Sequence, residues 1–210
     1  MTDRARRIAE VVGAVARQAL ADHGRTRIAL LDDGSPEAEL AARILVDQLG
    51  EERVATVRVD PDHVRWVAGD LGVDRRRAEE EVRRLLARLI DDALPAHPAS
   101  KTALLLGGAL PPEPLLPLGD LWATDVLALA GGWSASAEVV ALAEAAGGIE
   151  VLATSVRRLI GGRDPAGLDV LAGAAAGRVR AALAAGSASR RHPRIVPKLG
   201  VRTLCADLFE

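Results

Sequence analysis

The sequence has one cysteine, Cys205, no tyrosine, one phenylalanine, Phe209, and two lysines, Lys101 and Lys198. A lone thiol excludes an intramolecular disulfide and a thiolate metal cage. Cys205 sits in VRTLCADLF and reads as a packed, inert side chain. At 2% aromatic content there is no platform for stacking single-stranded bases. The formal net charge of -2 supplies no field to gather nucleic acid or anionic lipid. Neither nucleic acid nor a membrane is therefore expected as a partner. No apolar run approaches the ~20 residues of a membrane span. Residues 1–7 are charged and lead into an amphipathic pattern, so they do not form a secretory signal, and the expected location is cytoplasmic. His23, His63, His97 and His192 are scattered, with no i,i+4 pair and no carboxylate at ligand spacing. No metal site is expected from them. A Gly-x-Ser-x-Gly elbow and a P-loop are both missing. No catalytic residue can be assigned from spacing.

What the chain does have is 210 residues of 49% hydrophobic content. That fits a single domain, 1–210, with a full-sized core and an irregular basic tail from about residue 186. The tail carries Arg190, Arg191, Arg194 and Lys198.

Residues 4–21 place Ile8, Val11, Val12 and Val15 at helical spacing, with Thr2 or Asp3 as the cap. RIALL, 27–31, reads as a strand buried on both faces. The turn Asp32-Asp33-Gly34-Ser35-Pro36 follows, and Pro36 suits the first turn of a helix to about Leu49. RVATVRV, 53–59, is a second strand. Residues 74 to about 94 form the cleanest helical stripe, with Ala78, Val82, Leu85, Leu86, Leu89 and Ile90 inward, closed by Pro95 and Pro98. Its opposite charges Arg76, Glu80 and Arg84, with Glu79 and Arg83, fit a solvated face. TALLL, 102–106, is then expected as the third strand, ended by Gly107-Gly108. Helices follow over 121–129, 135–146 and from about 168 to 185. Residues 149–160 fit either a strand followed by a helix or one helix.

Strands alternating with helices predict an α/β fold: a parallel, Rossmann-like sheet flanked by helices on both faces. Ligands of such sheets sit at the carboxyl ends of the strands. Here those ends are expected at 32–36, 60–63 and 107–112.

Three segments carry a family resemblance. The first is the N-terminal helix leading into RIALL and its tight turn. The second is Pro117-Leu118-Gly119-Asp120-Leu121-Trp122-Ala123-Thr124-Asp125-Val126, followed by LALAG. The third is Ser189-Arg190-Arg191-His192-Pro193, with Pro197-Lys198 beyond. In this order they resemble the ammonia-dependent NAD synthetases of the adenine-nucleotide α-hydrolase group, whose Pro-x-Gly-Asp-Leu segment opens a helix. The resemblance implies a nucleotide site drawn from Asp32, Asp33, Gly34, Ser35, Gly107, Gly108, Asp120, Arg190, Arg191 and Lys198. It implies ATP and Mg2+ if activity is kept and no cofactor otherwise, with an adenine nucleotide as ligand. It also implies a homodimer built on helical contacts, to which Trp122 and Trp133 would contribute. From the residues alone, those two indoles read as core or interface, and N-capping accounts for Asp120 as well as ligation does.

The departures from the family pattern are as informative. The family turn is Ser-Gly-Gly-x-Asp-Ser, whose backbone N–H groups hold the pyrophosphate of ATP. The geometry is a glycine-rich turn at a helix N-terminus. Here only Gly34 matches in register, two carboxylates precede it, and Glu37 lies just inside the helix. A like-charge contact at ~4 Å costs about 1 kcal/mol near water and about 4 at an effective dielectric of 20. Phosphate at this turn is therefore opposed unless a divalent cation intervenes, and Pro36 removes one donor. Lys101-Thr102-Ala103-Leu104-Leu105-Leu106-Gly107 matches by letter the family's Asn-Lys-Ser/Thr-Glu-Leu-Leu-Leu-Gly helix, with Ala103 in place of the magnesium-binding Glu. The need for a third strand sets that match aside, and the loop for deamido-NAD is read as shortened to ALPPEPLLP.

The expected function is therefore NAD synthetase-like, with ATP-dependent amidation of deamido-NAD lost or reduced. One alternative is a divergent, active amide-forming ligase that releases AMP and pyrophosphate. In it Asp32, Asp33 or Glu113 would hold metal, and Arg190, Arg191 or Lys198 phosphate. The other is a non-enzymatic scaffold or interaction protein, whose sign would be a cleft filled by ALPPEPLLP.

Overall fold

A computed structural model of the chain describes residues 2–75, 77–79, 81–82, 85, 90, 92–106, 113–133, 137–160, 173–185 and 194–199. The elements that place the site come first. Helix α1, Asp3–Asp22, is capped by Thr2, whose Oγ1 accepts from the Ala5 N–H at 3.2 Å. Strand β1, Arg27–Asp32, leads into α2, Pro36–Leu49, and β2 is Val54–Arg58. Helix α3, Pro61–Leu71, ends at Gly72, whose φ of 61° is the left-handed conformation glycine adopts without a Cβ clash. Helical residues between 75 and 85 follow, then β3, Ala93–Ala96, and α4, Lys101–Leu106. The remainder is helical: α5, Ala123–Ala130; α6, Ala137–Ala145; α7, Ile149–Ile160; and α8, Gly173–Ala185.

The sheet is parallel, in the order β2-β1-β3. Asp32 stands opposite Arg58, and Leu30 opposite Ala96. Two single-residue bridges widen it in the same sense: Ala96 to Leu115, then Leu115 to Ile195. The Leu116 N–H donates to the Ile195 carbonyl at 3.0 Å, and the Ile195 N–H to the Pro114 carbonyl at 2.8 Å. The tail segment 194–199 therefore lies along the sheet.

Side chains alternate across a strand, and the two apolar clusters follow that alternation. Ile28, Leu30 and Leu115 join α1 and α2 in one cluster. Leu116, the next residue, joins α4, α6, α7 and α8 in the other. Helices thus cover both faces, and β1 is buried from Ile28 to Leu31. A smaller cluster holds α3 through Val64 and Val67 to Ala78 and Val82.

Several expectations need correction. TALLL is not the third strand; it is helix α4, and the strand is Ala93–Ala96. The helix expected to run to about 94 therefore stops short of Ala93, and Pro95 lies inside the strand. A short apolar run does not distinguish strand from buried helix by period, and a proline argues against a strand interior. Here the Pro95 carbonyl accepts from the Leu115 N–H at 3.4 Å, on the side away from β1. The missing proline donor therefore leaves the β1 ladder intact. Residues 60–63 are not an open strand-end loop: Asp60 caps α3, its carboxylate accepting from the Asp62 N–H at 2.8 Å. Residues 149–160 form one helix. Gly107, Gly108, Arg190, Arg191 and the charges Arg76, Glu80, Arg83 and Arg84 lie outside the described residues.

Candidate functional site

The β1–α2 turn is built by its own side chains. The Gly34 N–H donates to Asp32 Oδ1 at 2.9 Å, and the Ser35 N–H to Asp33 Oδ1 at 3.0 Å. The Ser35 Oγ, as N-cap of α2, accepts from the Ala38 N–H at 3.0 Å. Gly34 has φ of 75°, so the glycine is needed for this shape. Pro36 brings no N–H, and Glu37 is buried at the first turn, where its charge complements the helix dipole. The donors of Gly34, Ser35 and Ala38, which at an open turn of this kind would face an anion, are thus occupied by oxygens of this chain.

Beside the turn lies a groove of about 530 Å³ between α2 and β2. Asp32, Gly34, Ser35, Arg43, Asp47 and Arg58 line it, so both signs of charge face its interior. Sequence reasoning missed Arg43 and Arg58. The register of β2 against β1 brings Arg58 opposite Asp32.

Asp120 does not cap a helix. Helix α5 starts two residues beyond Leu121, and Asp125 accepts from the Trp122 N–H at 3.1 Å there. Asp120 instead forms a buried ion pair with Lys101, Nζ to Oδ1 at 3.0 Å, with side-chain exposures of 1% and 5%. Its Oδ2 accepts from the Leu199 N–H at 2.7 Å. The Lys101 N–H donates to the Leu121 carbonyl at 2.7 Å, and the Ala123 N–H to Thr102 Oγ1 at 3.0 Å. Gly119 permits this fold-back, since a Cβ there would lie 3.0 Å from both Leu116 Cβ and Val196 Cγ1. The letter match that begins at Lys101 was thus the better guide: the segment is a helix, and its first lysine meets the aspartate of the Gly119 segment. That pairing was the signal the sequence offered for Lys101.

Trp122 is half-buried, with Lys101 Nζ 5.3 Å and the Arg157 guanidinium 4.8 Å from its ring centre. Arg157 and Arg4 both reach Asp125. Burial holds the Arg157 guanidinium below its usual value, against the pull of Asp125, and nearby Arg4 lowers it further. Trp133 packs on the α6–α7 cluster. Of the remaining expected site residues, Lys198 is exposed, and Asp32, Asp33, Gly34 and Ser35 are brought together at the turn. Leu115 pairs with the sheet, so this part of ALPPEPLLP extends it.

Among the described residues no group of three or more His, Cys, Asp or Glu is placed to hold a metal ion. With Ala103 on α4 and the turn donors already bonded, these residues do not fit a magnesium–pyrophosphate pair. No single described helix is long and apolar enough to cross a membrane.

Parallel strands, covering helices and a turn at a helix start define an α/β Rossmann-like fold of the nucleotide-binding type. No protein-family model matches the chain, and no curated protein matches it. Among solved structures, one match is an NH3-dependent NAD synthetase from Campylobacter jejuni, determined with a nitrate ion. Its TM-score is 0.58 at 15% identity, over 93% of this chain and 99% of that one. At this identity the likeness is one of fold: the chain has an NAD synthetase-like fold.

Proposed function

We propose that this chain is an NAD synthetase-like protein in which ATP-dependent amidation of deamido-NAD has been lost or reduced. The observation that carries the reading is the β1–α2 turn, where Asp32 and Asp33 bond the N–H groups of Gly34 and Ser35. A phosphate approaching there meets two carboxylates and must displace them from their donors. Ala103 in place of the family's metal-binding Glu points the same way. The protein is read as a single-domain, cytoplasmic homodimer.

A groove of about 530 Å³ lies within the size range of small-molecule sites. It favours, as a second reading, a divergent ligase that takes its nucleotide beside the turn. Pyrophosphate release separates the two. Purified protein with ATP, magnesium, deamido-NAD and ammonia is expected to release none above background, with no thermal shift by ATP up to millimolar concentration. Release exceeding that of an Asp32→Ala, Asp33→Ala variant would overturn the first reading and establish the second.

A further inference from the structure

We propose that Arg4 and Arg157 form a receptor for the carboxylate side chains of an acidic segment on a partner protein; the proposal goes beyond the amidation reading and does not depend on it. The start of α1, the start of α5 and the last turn of α7 meet around one carboxylate, Asp125. Its Oδ1 takes Arg4 Nη2 at 2.5 Å, and its Oδ2 takes Arg157 Nη2 at 3.4 Å. Oδ2 also accepts from the Trp122 N–H at 3.1 Å, which pins the carboxylate to the start of α5. Neighbouring acids are committed elsewhere: Asp3 pairs with Arg6, and Asp120 with Lys101. Two guanidiniums therefore share one negative charge.

The two arginines differ in kind. Arg157 is the fixed one: its guanidinium lies 4.8 Å from the centre of the Trp122 ring and donates to Thr124 Oγ1 at 3.2 Å. A guanidinium stacked on an indole and held by hydrogen bonds is pre-organised, so less freedom is lost when it meets a ligand. Its side chain is 43% exposed and stays within reach of one. Arg4, 72% exposed, is the open arm.

The placement of Arg4 is an independent sign. It stands in the first turn of a 20-residue helix, where the positive end of the dipole disfavours a cation. The start of α5 brings a second positive end to the same place. Burial holds the Arg157 guanidinium below its usual value; Asp125 opposes that, and Arg4 reinforces it. A second carboxylate relieves this repulsion between cations. The site already displays the shape it accepts, since Asp125 lies between both guanidiniums and a planar carboxylate matches the guanidinium fork. Nucleic acid is disfavoured by the chain's net charge of -2 and its 2% aromatic content. Thr154, one turn before Arg157 on α7, opens onto a hollow of about 240 Å³ shared by Glu150, Val151, Ser155 and Arg158. A residue flanking the bound carboxylate has room there, which favours a polypeptide segment over a small dicarboxylate.

Calorimetry on the full chain with a short polyglutamate peptide tests the proposal, with the arginine side-chain N–H signals followed by NMR. The wild type is expected to bind, more weakly as salt is raised, and to shift the Arg4 and Arg157 signals. Arg157→Gln is expected to weaken binding about tenfold and Arg4→Gln about threefold. Because Arg4 is exposed, Arg4→Gln is expected to keep the wild-type thermal midpoint, which separates lost binding from lost folding. Asp125→Asn is expected to tighten binding about tenfold, because the internal carboxylate no longer competes. A purely structural role for Asp125 gives no such gain, so a folded Asp125→Asn variant that binds no better overturns the proposal. No binding by the wild type at millimolar peptide, or binding that neither arginine variant weakens, also overturns it. Succinate bound as tightly as the peptide overturns the polypeptide ligand, as does an oligonucleotide held through the same two arginines.

Discussion

Replacing Asp120 with alanine strips the counter-charge from a lysine that has almost no contact with water. In the folded chain the two side chains are 1% and 5% exposed and 3.0 Å apart. Removing one partner of such a pair costs about 3–5 kcal/mol, because the other charge stays buried with its counter-charge gone. The Leu199 N–H loses its acceptor at the same time. That loss falls inside the same range, since the groups share one carboxylate. For a domain of this length each kcal/mol moves the thermal midpoint by about 2–4 °C, so the expected fall is about 6–20 °C. Urea unfolding of wild type and Asp120→Ala gives the free energy directly. Hydrogen exchange at the Leu199 amide reports the lost acceptor. A paired Lys101→Met, Asp120→Leu variant is expected to recover most of the loss, since a buried ion pair is commonly matched by apolar residues of similar volume. A loss below about 1 kcal/mol for Asp120→Ala would refute the reasoning, because only a solvated pair is so weak.

Further predictions follow from the same geometry. Gly119→Ala is expected to destabilise the fold by about 1–3 kcal/mol through overpacking against Leu116 and Val196, read as a lower urea midpoint at unchanged slope. Ser35→Ala removes the N-cap bond to the Ala38 N–H and is expected to cost about 1 kcal/mol in the same assay. An Asp32→Ser, Asp33→Gly variant frees the N–H groups of Gly34 and Ser35 and is expected to gain affinity for inorganic phosphate by calorimetry. Equal phosphate binding by the wild type would show that the carboxylates do not occupy the turn. Removing Arg4, which is 72% exposed where it meets Asp125, is expected to change stability by at most about 1 kcal/mol.

The parallel α/β architecture was legible from the sequence because β1 and β2 are β-branched or aliphatic runs bounded by turn residues. The α2 start was legible because Ser35-Pro36 is a cap followed by a residue suited to the first turn. The third strand was not legible. Ala93–Ala96 is four residues with a proline inside, and its place in the sheet depends on which side Pro95 turns its carbonyl. That choice is made by Leu115, distant in sequence, so no local pattern encodes it. Helix α3 was hidden for a related reason: PDHVRWVAGDL carries a glycine and buries only Val64 and Val67 in its small core cluster, with Ala68 packed beside them. At the candidate site the composition of the turn was readable, including its adverse charges. Its bonding was not, because the same carboxylates that repel phosphate also satisfy the donors phosphate would use. The Lys101–Asp120 pair appeared only as letters in two family-like segments, and folding set them together.

The sheet is also a timetable. Its outer bridge is formed by Ile195, and the Leu199 amide closes onto Asp120 across 79 positions of chain. Lys101 and Asp120 are only 19 apart and are synthesised almost together. A ribosome therefore delivers the ion pair early but withholds the amide that completes it until residue 199 has cleared the exit tunnel. Until then the edge at Leu115 is open to any extended segment that reaches it. Completion of this fold therefore waits on residues 195 and 199, which close the sheet edge at Leu115 and supply the amide that Asp120 accepts.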